Sequence, residues 1–296
     1  MPFLGEFSAL LTAVLWSFTS IAFSHAVDKI GSIQLNMNRL LLAAFFLLLT
    51  ILIFNINYHL SSGQVINLSI SGIIGLVIGD SFLFKAYQQI GARLSILLMS
   101  FAPGISAILG YFLLSESISY LGVIGMIVTL MGIILVVFEK NKIPEAKYKM
   151  TAVGFFNGFM AAAGQAGGLI FAKLAFDHGD INGFVATFIR IFASIIIFLP
   201  ALLIFRKYKN PLKVYKNNIK ALASTLGGTV FGPYLGITFS MIAVTYTKVG
   251  IAATLMSTMP VIMLPLVKYI YKDKLSWRGI VGAFVTVAGI AILFIR

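Results

Sequence analysis

Apolar residues run through this chain in blocks of about twenty, separated by short polar breaks, with neither the strict alternation of strands nor the one-sided stripe of a soluble helix. A membrane-spanning helix needs about 20 mostly apolar residues. The blocks predict ten such helices, over 6–26, 33–54, 68–90, 93–114, 119–138, 150–176, 182–205, 220–246, 250–271 and 276–295. A polar linker, Glu139 to Lys149, divides them five and five. The longest hydrophilic connection, Arg206 to Lys220, is too short for a soluble domain. The first run is long enough to span and has no basic segment before it, so it reads as a retained helix rather than a cleaved leader.

The second half echoes the first at a constant offset of 157 residues. Gly75, Gly79, Phe82 and Ala86 pair with Gly232, Gly236, Phe239 and Ala243. Leu98-Met99-Ser100 pairs with Leu255-Met256-Ser257, Pro103 with Pro260, and Glu116 with Asp273. Gly122, Gly125, Thr129 and Gly132 pair with Gly279, Gly282, Thr286 and Gly289, and Arg39 pairs with Arg190 after a small loop adjustment. Shared hydrophobicity alone does not align glycines, prolines and acids in order. The expected fold is therefore an all-α integral membrane protein with two five-helix repeats, over 1–140 and 148–296. Five is odd, so the repeats insert with opposite orientation, an architecture of transporters with a midplane site between the halves.

Composition narrows the reading further. Of 296 residues 59% are hydrophobic and 10% charged, where a soluble domain carries roughly a quarter charged residues. The absence of cysteine excludes disulfides and thiolate chemistry, and three scattered histidines (His25, His59, His178) give no metal site. The formal charge of +13 resides mainly in short loops, so topology control explains it without nucleic acid. Basic residues cluster after odd-numbered helices, among them Lys29, Arg93, Lys140, Arg206, Lys213 and Lys272. The positive-inside rule places those loops in the cytoplasm and both termini outside.

These residues resemble the drug/metabolite transporter superfamily, EamA type. The resemblance rests on Trp16 in Ala13-Val-Leu-Trp16-Ser17, Arg39 opening helix 2, and Pro103 within helix 4. It continues through Leu-Leu-Ser-Glu116, Gly122-x-x-Gly125 and Gly132, and recurs as Pro260, Asp273, Gly279, Gly282 and Gly289. It implies a central cavity lined by helices 1, 3, 4, 6, 8 and 9, and export or exchange of small metabolites. It also implies cytoplasmic termini, against the charge reading. The loop Asn55 to Asn67 carries no Lys or Arg, a departure from the family's usual basic residues.

Asp80 is the sharpest candidate, a carboxylate in the middle of an apolar helix and on one face with Phe84 and Tyr87. Ionisable groups at such depth face a partner or a wet cavity. Proton coupling, binding of a substrate amine, or a structural ion pair with Arg39, Lys85 or Arg190 all fit. Arg39 and Arg190 either anchor helices or bind a substrate carboxylate. Trp16, Phe84, Met99, Gln165, Tyr234, Thr238 and Met256 lie at depth on the helices expected to line the cavity, as substrate contacts or as packing. Pro103 and Pro260 predict paired kinks. Glu116 and Asp273 read as carboxylates stabilised at the starts of helices 5 and 10. The Gly-x-x-x-Gly pairs at Gly75, Gly154, Gly164 and Gly232 read as close helix contacts.

No nucleotide-binding loop, cofactor motif, metal site or catalytic constellation is present in the sequence, so neither an enzyme nor an ATP-driven pump is expected. The expected function is a secondary active carrier in the cell membrane. It moves a small solute such as an amino acid out of the cell or in exchange, by alternating access with possible proton coupling. A monomer or homodimer in the lipid bilayer is expected. A non-transporting receptor or a lipid scramblase-like protein is the alternative.

Overall fold

The computed structural model describes residues 3–137, 151–216, 218–263 and 277–295. Among these residues, eight helices are long and apolar enough to cross a membrane and two shorter apolar ones complete a set of ten. The first half comprises α1 (Leu4–Ile30), α2 (Ser32–Ile53), α3 (Ser62–Ala92), α4 (Leu94–Leu114) and α5 (Tyr120–Val136). The second comprises α6 (Ala152–Phe176), α7 (Gly183–Ile204), α8 (Ile219–Tyr246), α9 (Val249–Met263) and α10 (Trp277–Ile295). The linker Glu139 to Lys149 and Asp273 lie outside the described residues.

The connections follow from local chemistry. A single residue, Gly31, joins α1 to α2 at φ 84°, ψ 157°, and Gly91, next to the last residue of α3, turns the chain towards α4 at φ 76°, ψ 164°. That region of backbone space is open essentially to glycine alone. The second half needs no glycine there, because Lys248 precedes α9 in extended geometry at φ −63°. α3 begins earlier than the apolar run. Ser61 Oγ accepts the Gln64 N–H at 3.3 Å and Gln64 Oε1 accepts the Ser61 N–H at 2.9 Å, a capping box that starts the helix in polar sequence.

The two halves interlock. α1 packs along α8 as α6 packs along α3, and α2 meets α7, α4 meets α9 and α5 meets α10. The correspondence extends to irregular backbone. π-helical stretches occupy Ile73–Gly79 in α3 and Val230–Gly236 in α8, at the same offset as the repeat. Each π stretch carries its Gly pair against the crossing helix. A Cβ on Gly164 would sit 2.6 Å from the Gly79 Cα, and one on Gly236 would meet the Trp16 ring at 2.6 Å. Small residues here let the helices approach, the usual basis of packing inside a bilayer.

α4 and α9 are both interrupted, at Ser100-Phe101 and at Ser257-Thr258. Pro103 and Pro260 were expected to kink a continuous helix. Instead they stand in the first turn after each break, where a missing N–H costs nothing. Glu116 also differs from expectation. Ser115 takes a left-handed turn (φ 53°), and Glu116 Oε2 accepts the Val249 N–H at 2.8 Å, at the start of α9 in the other half. Ser119 Oγ supplies the cap of α5, accepting the Gly122 N–H at 3.1 Å.

Candidate functional site

A cavity of about 110 Å³ lies where the two halves cross. Its wall comes chiefly from α1, α3, α4, α6, α8 and α9, while α2 and α7 contribute one residue each, Arg39 and Arg190. Of the residues singled out in the sequence, Trp16, Arg39, Asp80, Phe84, Met99, Gln165, Arg190 and Met256 lie on this wall.

Asp80 follows the π stretch of α3, and its N–H donates to Gly75 O, five residues back. The wider π turn re-aims the residues that follow it. Asp80 is paired with the Nη2 of Arg39. Arg39 is 4% exposed, and its Nε and Nη2 also donate to Asn36 Oδ1 at 3.0 and 2.8 Å. Asn36 in turn donates to Leu76 O at 3.2 Å, inside the π stretch, and to Ser81 Oγ at 3.1 Å. The guanidinium also lies over the Phe84 ring, 4.9 Å from its centroid, and 5.9 Å from that of Phe23. Phe23, Phe84 and Tyr87 pack edge to face around it, with centroids 5.7 and 5.9 Å apart. Arg39 is thus held by a charge, an amide and an aromatic face at once.

Arg190 occupies the repeat-related position with a different environment. It is 3% exposed, and its Nη1 donates to the thioether of Met241 at 3.0 Å. Its Nε has no hydrogen-bond partner among the described residues. The position matching Asp80 holds Ile237, also on the cavity wall. The site is therefore asymmetric in charge although symmetric in backbone.

Two expected residues lie elsewhere. Tyr234 points from α8 towards α2 and α7; its hydroxyl is 2.8 Å from Thr50 Oγ1 and its ring packs on Phe46 and Phe184. Thr238 is buried, with Oγ1 donating to Tyr234 O at 2.6 Å. Neither belongs to the cavity lining. Conversely, the wall includes Thr19, Ser20, Phe23, Ser240 and Met259, which the sequence reading passed over. Thr19, Ser20 and Phe23 stand three, four and seven residues after Trp16, the spacing of one helical face, and that signal was available.

A crossed bundle of apolar helices around a charge-bearing cavity is the architecture of a multi-pass membrane protein. The chain belongs to the EamA-like transporter family, whose model matches residues 3–138 and again 152–295. No curated protein matches the sequence significantly. Among solved structures, 28 chains match. One is the crystal structure of a protein 17% identical to this chain, covering 97% of it and 94% of the solved chain, with a TM-score of 0.71. At that identity the likeness concerns the fold alone.

Proposed function

We propose that this protein is a secondary carrier of the cell membrane that exports or exchanges a small amphipathic metabolite, such as an amino acid, by alternating access. The supporting observation is the cavity itself. Both halves line it, and it holds an ion pair and a second guanidinium within walls of Trp16, Phe84, Met99 and Met256. Apolar walls with a few convergent polar groups suit a solute with an apolar body and a charged end. The matched interruptions of α4 and α9 flank this space and supply hinges about which the halves can rock.

Asp80 is the coupling group in this reading. A proton on Asp80 removes the charge that holds Arg39, so protonation and solute binding act on one pair. Replacing Asp80 by Asn abolishes pH-driven uptake in proteoliposomes and preserves counterflow of labelled solute, which also reports that the variant is folded. Unchanged proton-driven uptake in Asp80→Asn refutes the coupling role, and no counterflow of any solute by the native protein refutes the carrier.

A further inference from the structure

Three charged residues reach the cavity wall, and they do not balance: Arg39, Asp80 and Arg190. Asp80 is engaged by Arg39, whose other donors go to Asn36. Asp80 also lies within Coulombic range of Arg190 but forms no ion pair with it. Arg190 is left with a thioether acceptor and an unpartnered Nε, although it is 97% buried by its 3% exposure. Thioether sulfur is a weak acceptor. A guanidinium grips planar anions through two parallel N–H···O bonds, and a buried cation without a counter-charge is costly. The first half supplies its arginine with a carboxylate; at the matching position the second half presents Ile237.

We propose that Arg190 binds the carboxylate of the transported solute, and that this solute is an organic monoanion with an apolar body. The inference rests on the carrier reading and narrows its substrate class, away from the zwitterionic amino acid offered there as an example. A monoanion brings wall and solute together to two guanidiniums and two carboxylates. A zwitterion brings an ammonium as well, and Asp80, the carboxylate of the wall, is already held by Arg39. A cation adds a third positive charge. The apolar body rests against Trp16, Met99 and Met256, which share the cavity with Arg190.

Trp16 supplies the readout. The other tryptophan, Trp277, is exposed on α10 and away from the cavity wall, so Trp277→Phe leaves Trp16 as the single tryptophan, excited selectively over the tyrosines at the red edge of its absorption. The purified full-length chain is titrated with four probes of similar branched body: 4-methylpentanoate, leucine, 3-methylbutylamine and 4-methylpentanol. The expected result is a saturable change with 4-methylpentanoate and at least tenfold weaker binding of leucine and of the amine. Arg190→Gln lowers affinity for the anion at least tenfold and leaves the alcohol unaffected. Ile237→Asp, which supplies the missing counter-charge, does the same without removing the arginine, so the test survives misfolding of the first variant. Equal or tighter binding of leucine or the amine overturns the inference. So does the same saturable change with sodium chloride alone, undiminished anion binding in both variants, or no binding of any probe. Counterflow in proteoliposomes separates the two readings. Anion binding with no counterflow refutes the carrier and keeps the Arg190 site, while counterflow of a neutral or cationic solute without anion binding does the reverse.

Discussion

Arg39 and Asp80 form an ion pair across 41 positions of sequence, joining α2 to α3 in the cavity wall. Removing one partner of a buried pair leaves an uncompensated charge, at a cost of about 3–5 kcal/mol. Arg39→Met is therefore expected to destabilise the purified protein by that order, and Arg39→Met with Asp80→Leu to recover most of the loss. Thermal or denaturant unfolding of the two variants side by side checks this. A double variant as unstable as the single one shows that the Asn36 and Phe84 contacts, rather than the pair, carry the stability.

The crossing of α3 and α6 tolerates no added methyl. A Cβ on Gly164 would meet the Gly79 backbone at 2.6 Å, whereas one on Gly104 meets nothing within 4 Å. Overpacking against backbone costs typically about 1–3 kcal/mol. Gly164→Ala should lower stability by that amount and Gly104→Ala by much less. Equal melting temperatures for the two variants contradict the packing described.

Tyr234 holds α8 to α2 through Thr50, at 2.8 Å, rather than facing solute. Tyr234→Phe is expected to cost about 0.5–1.5 kcal/mol, the worth of one hydrogen bond. Solute affinity should be unchanged, whereas Met256→Ala, on the wall, should alter it. A weaker affinity in Tyr234→Phe at unchanged stability returns Tyr234 to the binding site.

Burial pushes the Glu116 carboxyl above its ordinary value of 4.5, against the lowering effect of the Val249 N–H and of Lys173 and Lys248. The folded protein then holds this proton more tightly than the unfolded chain. Its stabilising contribution is full at low pH and falls as pH rises from 4.5 through the raised value. The difference in melting temperature between the native protein and Glu116→Gln, in detergent, should shrink with rising pH over that window and then level off. A difference that grows with pH reverses the sign and the role assigned to burial.

Charge predicts sidedness. The exposed short helix Pro211–Tyr215 between α7 and α8 carries Lys213 beside Lys209 and Lys216, and the positive-inside rule places it in the cytoplasm. The chain has no cysteine, so Lys213→Cys gives a unique label. A membrane-impermeant maleimide should react only after lysis. Labelling in intact cells puts this loop outside and both termini in the cytoplasm.

The spans were legible because each is a long apolar run, and the duplication because glycines, prolines and acids recur in order. Asp80 and the two arginines stood out as charges where a bilayer penalises them. The face of α8 was not legible. Tyr234 lies inside the π stretch Val230–Gly236, and Thr238 stands two residues after its end. Both were chosen for depth on a cavity helix and for polarity, and neither property fixes which way a side chain points, so two residues at the right depth were given the wrong direction. Similarly, Glu116 precedes α5 in sequence but caps α9, because a left-handed Ser115 turns it towards the other half.

By itself, the sequence determined the number of helices, the repeat and the residue types at depth, since these depend on hydrophobicity and composition, which act locally along the chain. Tertiary structure decided which of those residues share a cavity and which charges meet. Asp80 paired with Arg39, and Arg190 was left with a thioether. That choice depends on how α6 and α1 press into the π stretches of α3 and α8, a packing between halves that no single segment encodes.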